Sequence, residues 1–362
     1  MESRRGFIQK AGLTALSVPF INTLSFGEEK KLNVALVGLG RYANYMAEGI
    51  AVSKHCKVAG IVTGTPSKIP VWRKKYNIPE KNVYNYETFD QIADNKDIDV
   101  IYVILPNAMH MEYVIRAAKA GKHVIVEKPM AISAAECEEM IAACKKAGVL
   151  LAVGYRLHFE PYNMEMMRLG QQKVFGEVKH VSAALSYNTV GAGPNDWHVV
   201  KKLSGGGPLT NLGVYCIQGA RYVMGQEPVS VTARFGKVTH RDIFKEVEES
   251  IYWQMEFPNG AFADCSTSYT SFSDYLMAAA ENGHFELSPA ISYGPFVGKS
   301  SNGPMDFPET NQLQVQMDSL APYFLNNKPL PEHISGLEGL KDLKVIDAVY
   351  EAARTGERVT IS

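Results

Sequence analysis

Leu32-Asn33-Val34-Ala35-Leu36-Val37-Gly38-Leu39-Gly40-Arg41-Tyr42-Ala43 decides the fold. Six residues, five of them apolar, read as a buried strand, and the strand runs straight into G-x-G-x-x-A. That pattern carries weight only between a strand and a helix, which is where it stands here. Gly38 permits the tight turn, and Gly40 lets a pyrophosphate approach the backbone. Ala43 is small enough for the helix to pack closely on the sheet, and Arg41 and Tyr42 open the helix whose free amides would face the phosphates.

Working outward, apolar runs at 57–63, 99–105, 123–127 and 149–154 predict further strands, the second of them apolar from Val100 on as in a parallel sheet covered on both faces. Helical patterns separate them. Ser133 and Glu136 have capping-box spacing, and Gly121 and Gly148 stand where helices should stop. Alternating strands and helices predict an α/β chain that begins with a doubly wound parallel sheet, a Rossmann domain over 31–155. After the second strand come Thr63, Gly64, Ser67 and Lys68, with no carboxylate to take a ribose 2′-hydroxyl. Small hydroxyls and a lysine suit a 2′-phosphate, so NADP is the expected cofactor, with NAD the alternative.

The second half changes period. Val229, Val231, Ala233 and Phe235 alternate, as do Ile251, Trp253, Met255 and Phe257. Asn259-Gly260 and Asn282-Gly283 supply hairpin turns. An α+β domain over 156–362 with a large, open, mainly antiparallel sheet is expected. Residues 290–308, rich in Gly, Ser and Pro, read as a long loop over a site or an interface. Leu337, Leu340, Leu343, Ile346, Val349 and Ala353 predict a C-terminal helix, free to pack back on the first domain and stopped by Gly356.

Lys plus Arg number 37 against 38 for Asp plus Glu, so no charge excess exists to hold a nucleic acid or an anionic membrane. The five cysteines form no CxxC pair, and their odd count argues against a disulfide framework. No His/Asp/Glu spacing suggests a metal. Residues 1–30 read as an export signal and linker: Arg4-Arg5-Gly6-Phe7 resembles a twin-arginine opening, and an uncharged stretch from Ala11 to Gly27 follows. That stretch is too short and too interrupted for a comfortable membrane span. A periplasmic location is expected, with the cytoplasm as the alternative.

Three further segments point to a family: Leu105-Pro106-Asn107 with His110, Glu127-Lys128-Pro129, and Gly205-Gly206-Gly207-Pro208 through Asn211 to Tyr215. With the glycine motif and with Gly154-Tyr155-Arg156, they resemble the family of glucose–fructose oxidoreductase, inositol dehydrogenase and their rhizopine-pathway relatives (Gfo/Idh/MocA). The likeness runs from about Lys31 to Arg358 and is strongest to the glucose–fructose oxidoreductase branch.

The resemblance implies a sugar or polyol substrate and a nicotinamide between the two domains. It also implies pairing of subunits into dimers or tetramers through the open sheet. Lys128 would hydrogen-bond a sugar hydroxyl, with Pro129 at a cis or constrained bond that aims it, and Tyr215 would be the acid/base. Leu105, Pro106, Asn107, His110, Glu127, Arg156 and Trp197 would line the cofactor, while Arg156, His158 and His198 would join Lys128, Asn211 and Tyr215 around the substrate. The chemistry suits the residue types, because oxidising a hydroxyl requires removing its proton as hydride leaves the carbon. Two positions depart from the pattern: Asn211 replaces an aspartate, and Trp197-His198 stands where close relatives have Trp-Arg. Asparagine can orient a hydroxyl but cannot take a proton. The expectation is an NADP-dependent sugar oxidoreductase that retains and recycles its cofactor. A sugar-binding or sensing protein without turnover, and a redox-neutral glycosidase-like relative, stay open as alternatives.

Overall fold

The computed structural model describes residues 30–361, so the expected export signal lies almost wholly outside the described residues. The first sheet is built from β1 (Leu32–Val37), β2 (Cys56–Val62), β3 (Val83–Tyr84), β4 (Val100–Val103), β5 (His123–Val126) and β6 (Leu151–Val153), all parallel, in the order β3-β2-β1-β4-β5-β6. Strand order reverses between β1 and β4, and in open parallel sheets the crevice at that point takes the ligand. Four helices connect these strands: α1 (Arg41–Ala51), α2 (Ile69–Tyr76), α3 (His110–Lys119) and α4 (Ala134–Ala147). The capping signals act as the sequence suggests. The Ser133 hydroxyl accepts the Glu136 amide, and Gly148 adopts the left-handed conformation that ends α4.

After α5 (Pro161–Gln171) the chain enters a nine-stranded sheet through β7 (Val178–Ser186). Helices α6 (Lys201–Ser204) and α7 (Val214–Met224) follow, then β8 (Ser230–Phe235), β9 (Ser250–Glu256), β10 (Phe262–Ser268), β11 (Ser273–Ala280) and β12 (Gly283–Leu287). The expected loop at 290–308 is partly ordered into a small hairpin, β13 (Gly298–Ser300) and β14 (Gly303–Met305), which extends the sheet edge. Three elements complete the chain: α8 (Gln312–Leu325), α9 (Gly336–Thr355) and β15 (Val359–Thr360). Only the β7–β10 pair is parallel within the order β14-β13-β12-β11-β7-β10-β9-β8-β15. On β9, Ile251, Trp253 and Met255 are buried while Tyr252 is exposed. Tyr252 shares the outer face with Gln254, Asp264 and Ser266, the period-two alternation of a sheet with one covered face.

The last helices return towards the first sheet. Leu313, Met317, Leu320 and Phe324 of α8 are buried with Leu36, Met46 and Ile50 of β1 and α1. Helix α9 packs against α4, β6 and β8 at once. A buried polar knot fixes this arrangement. Asp342 on α9 accepts the Tyr155 hydroxyl and the Gln218 amide, each at 2.6 Å, and pairs with Arg221 of α7. Arg221 also meets Glu338 at 2.8 Å. Charges this deeply buried are stable only as a set, and removing one partner typically costs about 3–5 kcal/mol.

Candidate active site

The turn after β1 has the shape its glycines suggest. Gly38 sits at φ +87°, and a Cβ there would lie 2.3 Å from the Ile104 carbonyl oxygen. A Cβ on Gly40 would meet no protein atom within 4 Å, so the backbone faces open space on the cleft side. No side chain caps α1 at its start, which leaves its first amides free for an anion. The Lys68 ammonium donates to the Leu39 carbonyl at 2.7 Å and so hangs over the glycine turn. Thr63, Thr65, Lys68 and Arg41 line this end of the cleft. These groups fit a dinucleotide: free amides and cations stand where phosphates would lie. Ala43 is buried beneath the turn, and a Cβ on Gly64 would press on the Tyr86 ring. Ser67 opens to a shallower depression beside the same turn.

The cleft, about 600 Å³, runs from that turn to the second domain. Lys128 leaves the C-terminal end of β5, and its peptide bond to Pro129 is cis. Its ammonium donates to the Asn211 carbonyl oxygen at 3.0 Å and stands 4.5 Å from the centre of the Tyr215 ring. The Arg156 guanidinium lies 5.2 Å from the centre of the same ring. Tyr215 occupies the first turn of α7, directly after a π-helical turn at Leu209–Gly213. The buried Glu248 carboxylate fixes that turn by accepting the Gly207 and Leu209 amides at 3.0 and 3.1 Å. Asn211 uses its side-chain amide on the Tyr269 hydroxyl at 3.0 Å. Lys128, Asn211 and Tyr215, 87 positions apart in sequence at the extremes, thus meet at one point.

Beneath them, Glu127 is buried, accepts the Tyr102 hydroxyl at 2.6 Å and lies within hydrogen-bonding reach of Tyr42. Burial pushes its carboxyl above the usual range, against the pull of Tyr102 and the Lys128 charge. His110 braces the loops: its ring nitrogens meet the Leu105 carbonyl at 2.9 Å and the Pro129 carbonyl at 3.0 Å, and burial drives it down to about 4. Leu105 and Pro106 line the cleft wall, and Asn107 ties the β4 loop to the second domain through the Ser204 carbonyl at 2.8 Å. Trp197 and His198 stack at 3.8 Å and close the far side.

Arg156 and His158 stand differently from the sequence expectation. Arg156 lines the cleft but donates to Gln312 and to the Ile291 and Ser292 carbonyls, clamping the segment that carries Tyr293. Burial opposes the guanidinium charge, yet Tyr215 and Tyr293 beside it raise its pKa. His158 is not brought to the cleft. Its Nδ1 donates to the His333 carbonyl (2.7 Å), and the ring stacks on Tyr155 and lines a small apolar cavity behind Tyr215.

Sequence reasoning missed the aromatic lining: Tyr45, Tyr86, Tyr187 and Tyr293. Tyr293 packs edge-on against Tyr45 of α1 at 5.9 Å, and the Arg156 guanidinium lies 4.5 Å from its ring, so the two halves of the chain touch across the cleft. The one available signal was the glycine- and proline-rich composition around Tyr293. Among the described residues, no group of three or more His, Cys, Asp or Glu is arranged to hold a metal, and no helix is long and apolar enough to cross a membrane.

Comparison with known proteins identifies the family. The oxidoreductase family with an NAD-binding Rossmann fold (GFO_IDH_MocA) matches residues 32–155, and the GFO/IDH/MocA C-terminal domain matches 164–287. The aldose-aldose oxidoreductase of Caulobacter crescentus, solved with glycerol, is 39% identical, with a TM-score of 0.88 over 91% of this chain and 100% of that one. The D-xylose 1-dehydrogenase [NADP(+)] of Haloarcula marismortui is 24% identical, with 92% of this chain and 94% of its own covered. The scyllo-inositol dehydrogenase of Lactobacillus casei, 19% identical with a TM-score of 0.75 over 92% of this chain and 99% of that one, shares the fold.

Proposed function

The chain belongs to the Gfo/Idh/MocA oxidoreductase family, and on that footing we propose that it is an NADP-dependent oxidoreductase that transfers hydride between a nicotinamide and the anomeric hydroxyl of an aldose, or a hydroxyl of a polyol. The observation that carries this reading is Tyr215, set in the dinucleotide cleft with the Lys128 ammonium 4.5 Å and the Arg156 guanidinium 5.2 Å from the centre of its ring. The nicotinamide, when bound, takes up and returns the hydride. Tyr215 takes the proton of the reacting hydroxyl, and the anion left on the phenol faces two cations. Lys128 commits one N–H to the Asn211 carbonyl and keeps its others for the sugar oxygen. Thr63, Thr65, Lys68 and Arg41 hold a 2′-phosphate, and the lack of a carboxylate at the end of β2 favours NADP over NAD.

The Tyr45–Tyr293 contact supports a cofactor that stays resident and is recycled between an oxidised and a reduced sugar. The outer face of the nine-stranded sheet, with Tyr252, Phe262 and Met277 exposed, is the surface on which two copies pair. Export to the periplasm rests on the Arg4-Arg5 opening and the uncharged stretch from Ala11 to Gly27. Asn211 favours a second reading, a sugar-binding protein that retains the cofactor without turnover.

The test is single-turnover reduction of the bound cofactor by aldoses in Tyr215→Phe and Lys128→Met. Loss of a general acid–base group predicts a fall of about 10²–10⁴-fold with the cofactor still bound. Rates within about threefold of the parent in both variants would remove Tyr215 and Lys128 from the chemistry.

A further inference from the structure

Hydride transfer from one hydroxyl needs one proton acceptor, and Tyr215 fills that role. The cleft holds a second group built to accept protons. His198 lines it, about a third exposed, with its ring stacked on Trp197. Asp196 accepts both the His198 backbone amide at 2.9 Å and ring nitrogen Nδ1 at 2.5 Å. A carboxylate on Nδ1 keeps the proton there and leaves the lone pair on Nε2. Among the described residues nothing hydrogen-bonds Nε2. Burial lowers the affinity of this ring for a second proton, against the pull of Asp196, so the imidazole is neutral at neutral pH. Lys128 lines the same cleft, close enough for its charge to act on His198.

We propose that the Asp196–His198 dyad gives this protein a second activity, hydrolysis of the aldonolactone that oxidation of a cyclic aldose leaves in the cleft. The substrate class rests on the sugar-oxidising reading above. His198 Nε2 takes a proton from a water molecule as the water oxygen bonds to the lactone carbonyl carbon. Lys128 hydrogen-bonds the carbonyl oxygen while it carries negative charge. The bond from that carbon to the ring oxygen then breaks, and the departing oxygen takes the proton back from His198. The product is an open-chain hydroxy acid that ionises and releases one proton to solvent. No electrons are exchanged. Opening the ring removes the carbonyl that would otherwise reclaim the hydride, and so drives the oxidative half of the cycle forward.

The experiment follows proton release from D-glucono-1,5-lactone in a pH-stat, with the protein as purified and its cofactor oxidised. The lactone carbon carries no hydrogen to give, so the readout is independent of hydride transfer. Hydrolysis well above the spontaneous rate is expected, falling about 10²-fold in His198→Gln. Asp196→Asn should also lose rate and Asp196→Glu recover part of it, all with melting temperatures unchanged. Hydrolysis at the spontaneous rate, or at full rate in a folded His198→Gln protein, overturns the proposal. Reduction of the bound cofactor by aldose, measured in parallel, separates the two readings: lactone hydrolysis without it leaves the dyad standing, and the reverse leaves only the oxidoreductase.

Discussion

Truncating Tyr293 to alanine should loosen the hold on the dinucleotide while leaving Tyr215 and Lys128 intact. The segment bearing Tyr293 is pinned at its base. Asp274 accepts the amides of Ala290, Ile291 and Ser292 at 2.9, 2.8 and 3.0 Å, while Arg156 donates to the Ile291 and Ser292 carbonyls. Only the Tyr293 ring reaches across, to Tyr45 at 5.9 Å, so the change removes the bridge and leaves the anchor. An edge-to-face pair contributes about 0.5–1.5 kcal/mol, and the Arg156 cation over the ring about 0.5–1 kcal/mol more. Together these amount to about 1–2.5 kcal/mol, or roughly 5- to 60-fold in cofactor release. Tyr45→Ala breaks only the pair, for about 2- to 12-fold. The double variant should fall short of the product of the two, since both changes delete one shared contact. Stopped-flow displacement of bound NADPH by excess NADP, followed by nicotinamide fluorescence, gives the rates. Release within about twofold of the parent in Tyr293→Ala would refute a latching role.

The two glycines of the turn should fail differently. Gly38→Ala places a Cβ on the Ile104 carbonyl at positive φ and should lower the unfolding free energy by about 1–3 kcal/mol in denaturant titration. Gly40→Val meets no protein atom at its Cβ, and should leave the melting temperature nearly unchanged while weakening cofactor binding at least about tenfold by calorimetry. At acid pH, Glu249 should be a main source of lost stability. Burial opposes its charge, but the Thr239 hydroxyl and the Thr239 and His240 amides donate to it and hold its carboxyl down at about 2. A depressed carboxyl contributes stability that is complete above its unfolded value near 4.5 and disappears as the pH falls to about 2. The shift corresponds to about 3 kcal/mol, so Glu249→Gln should flatten the fall in stability between about pH 5 and pH 2.

Local features of the sequence were legible because their causes are local. The glycine turn needs only a strand before it and a helix after it, and the caps at Ser133 and Gly148 act within one turn. Lys128, Asn211 and Tyr215 were found through short motifs, and the fold brings them together. What the sequence hid depends on closure over long distances. The carbonyls that occupy Arg156 lie 135 and 136 positions away, so an arginine expected on ligand serves as a clamp. Nothing near Tyr45 announces Tyr293. The sequence of helix α8 does not reveal which sheet it covers, and only the packing of Met317 and Phe324 assigns it to the first. His158 shows the converse: its neighbours Tyr155 and Arg156 belong to a recognisable motif, but the turn after β6 points its ring at His333, away from the cleft.

The central claim is that an aldose gives hydride to a nicotinamide held in this cleft. Releasing the cofactor from untreated protein, identifying it by mass, and following the reduced-nicotinamide absorbance on adding aldoses tests it most directly. The account predicts NADP, retained through purification and reduced by at least one aldose. A protein that carries no nicotinamide, or whose bound NADP stays oxidised with every aldose and polyol tried, would contradict it.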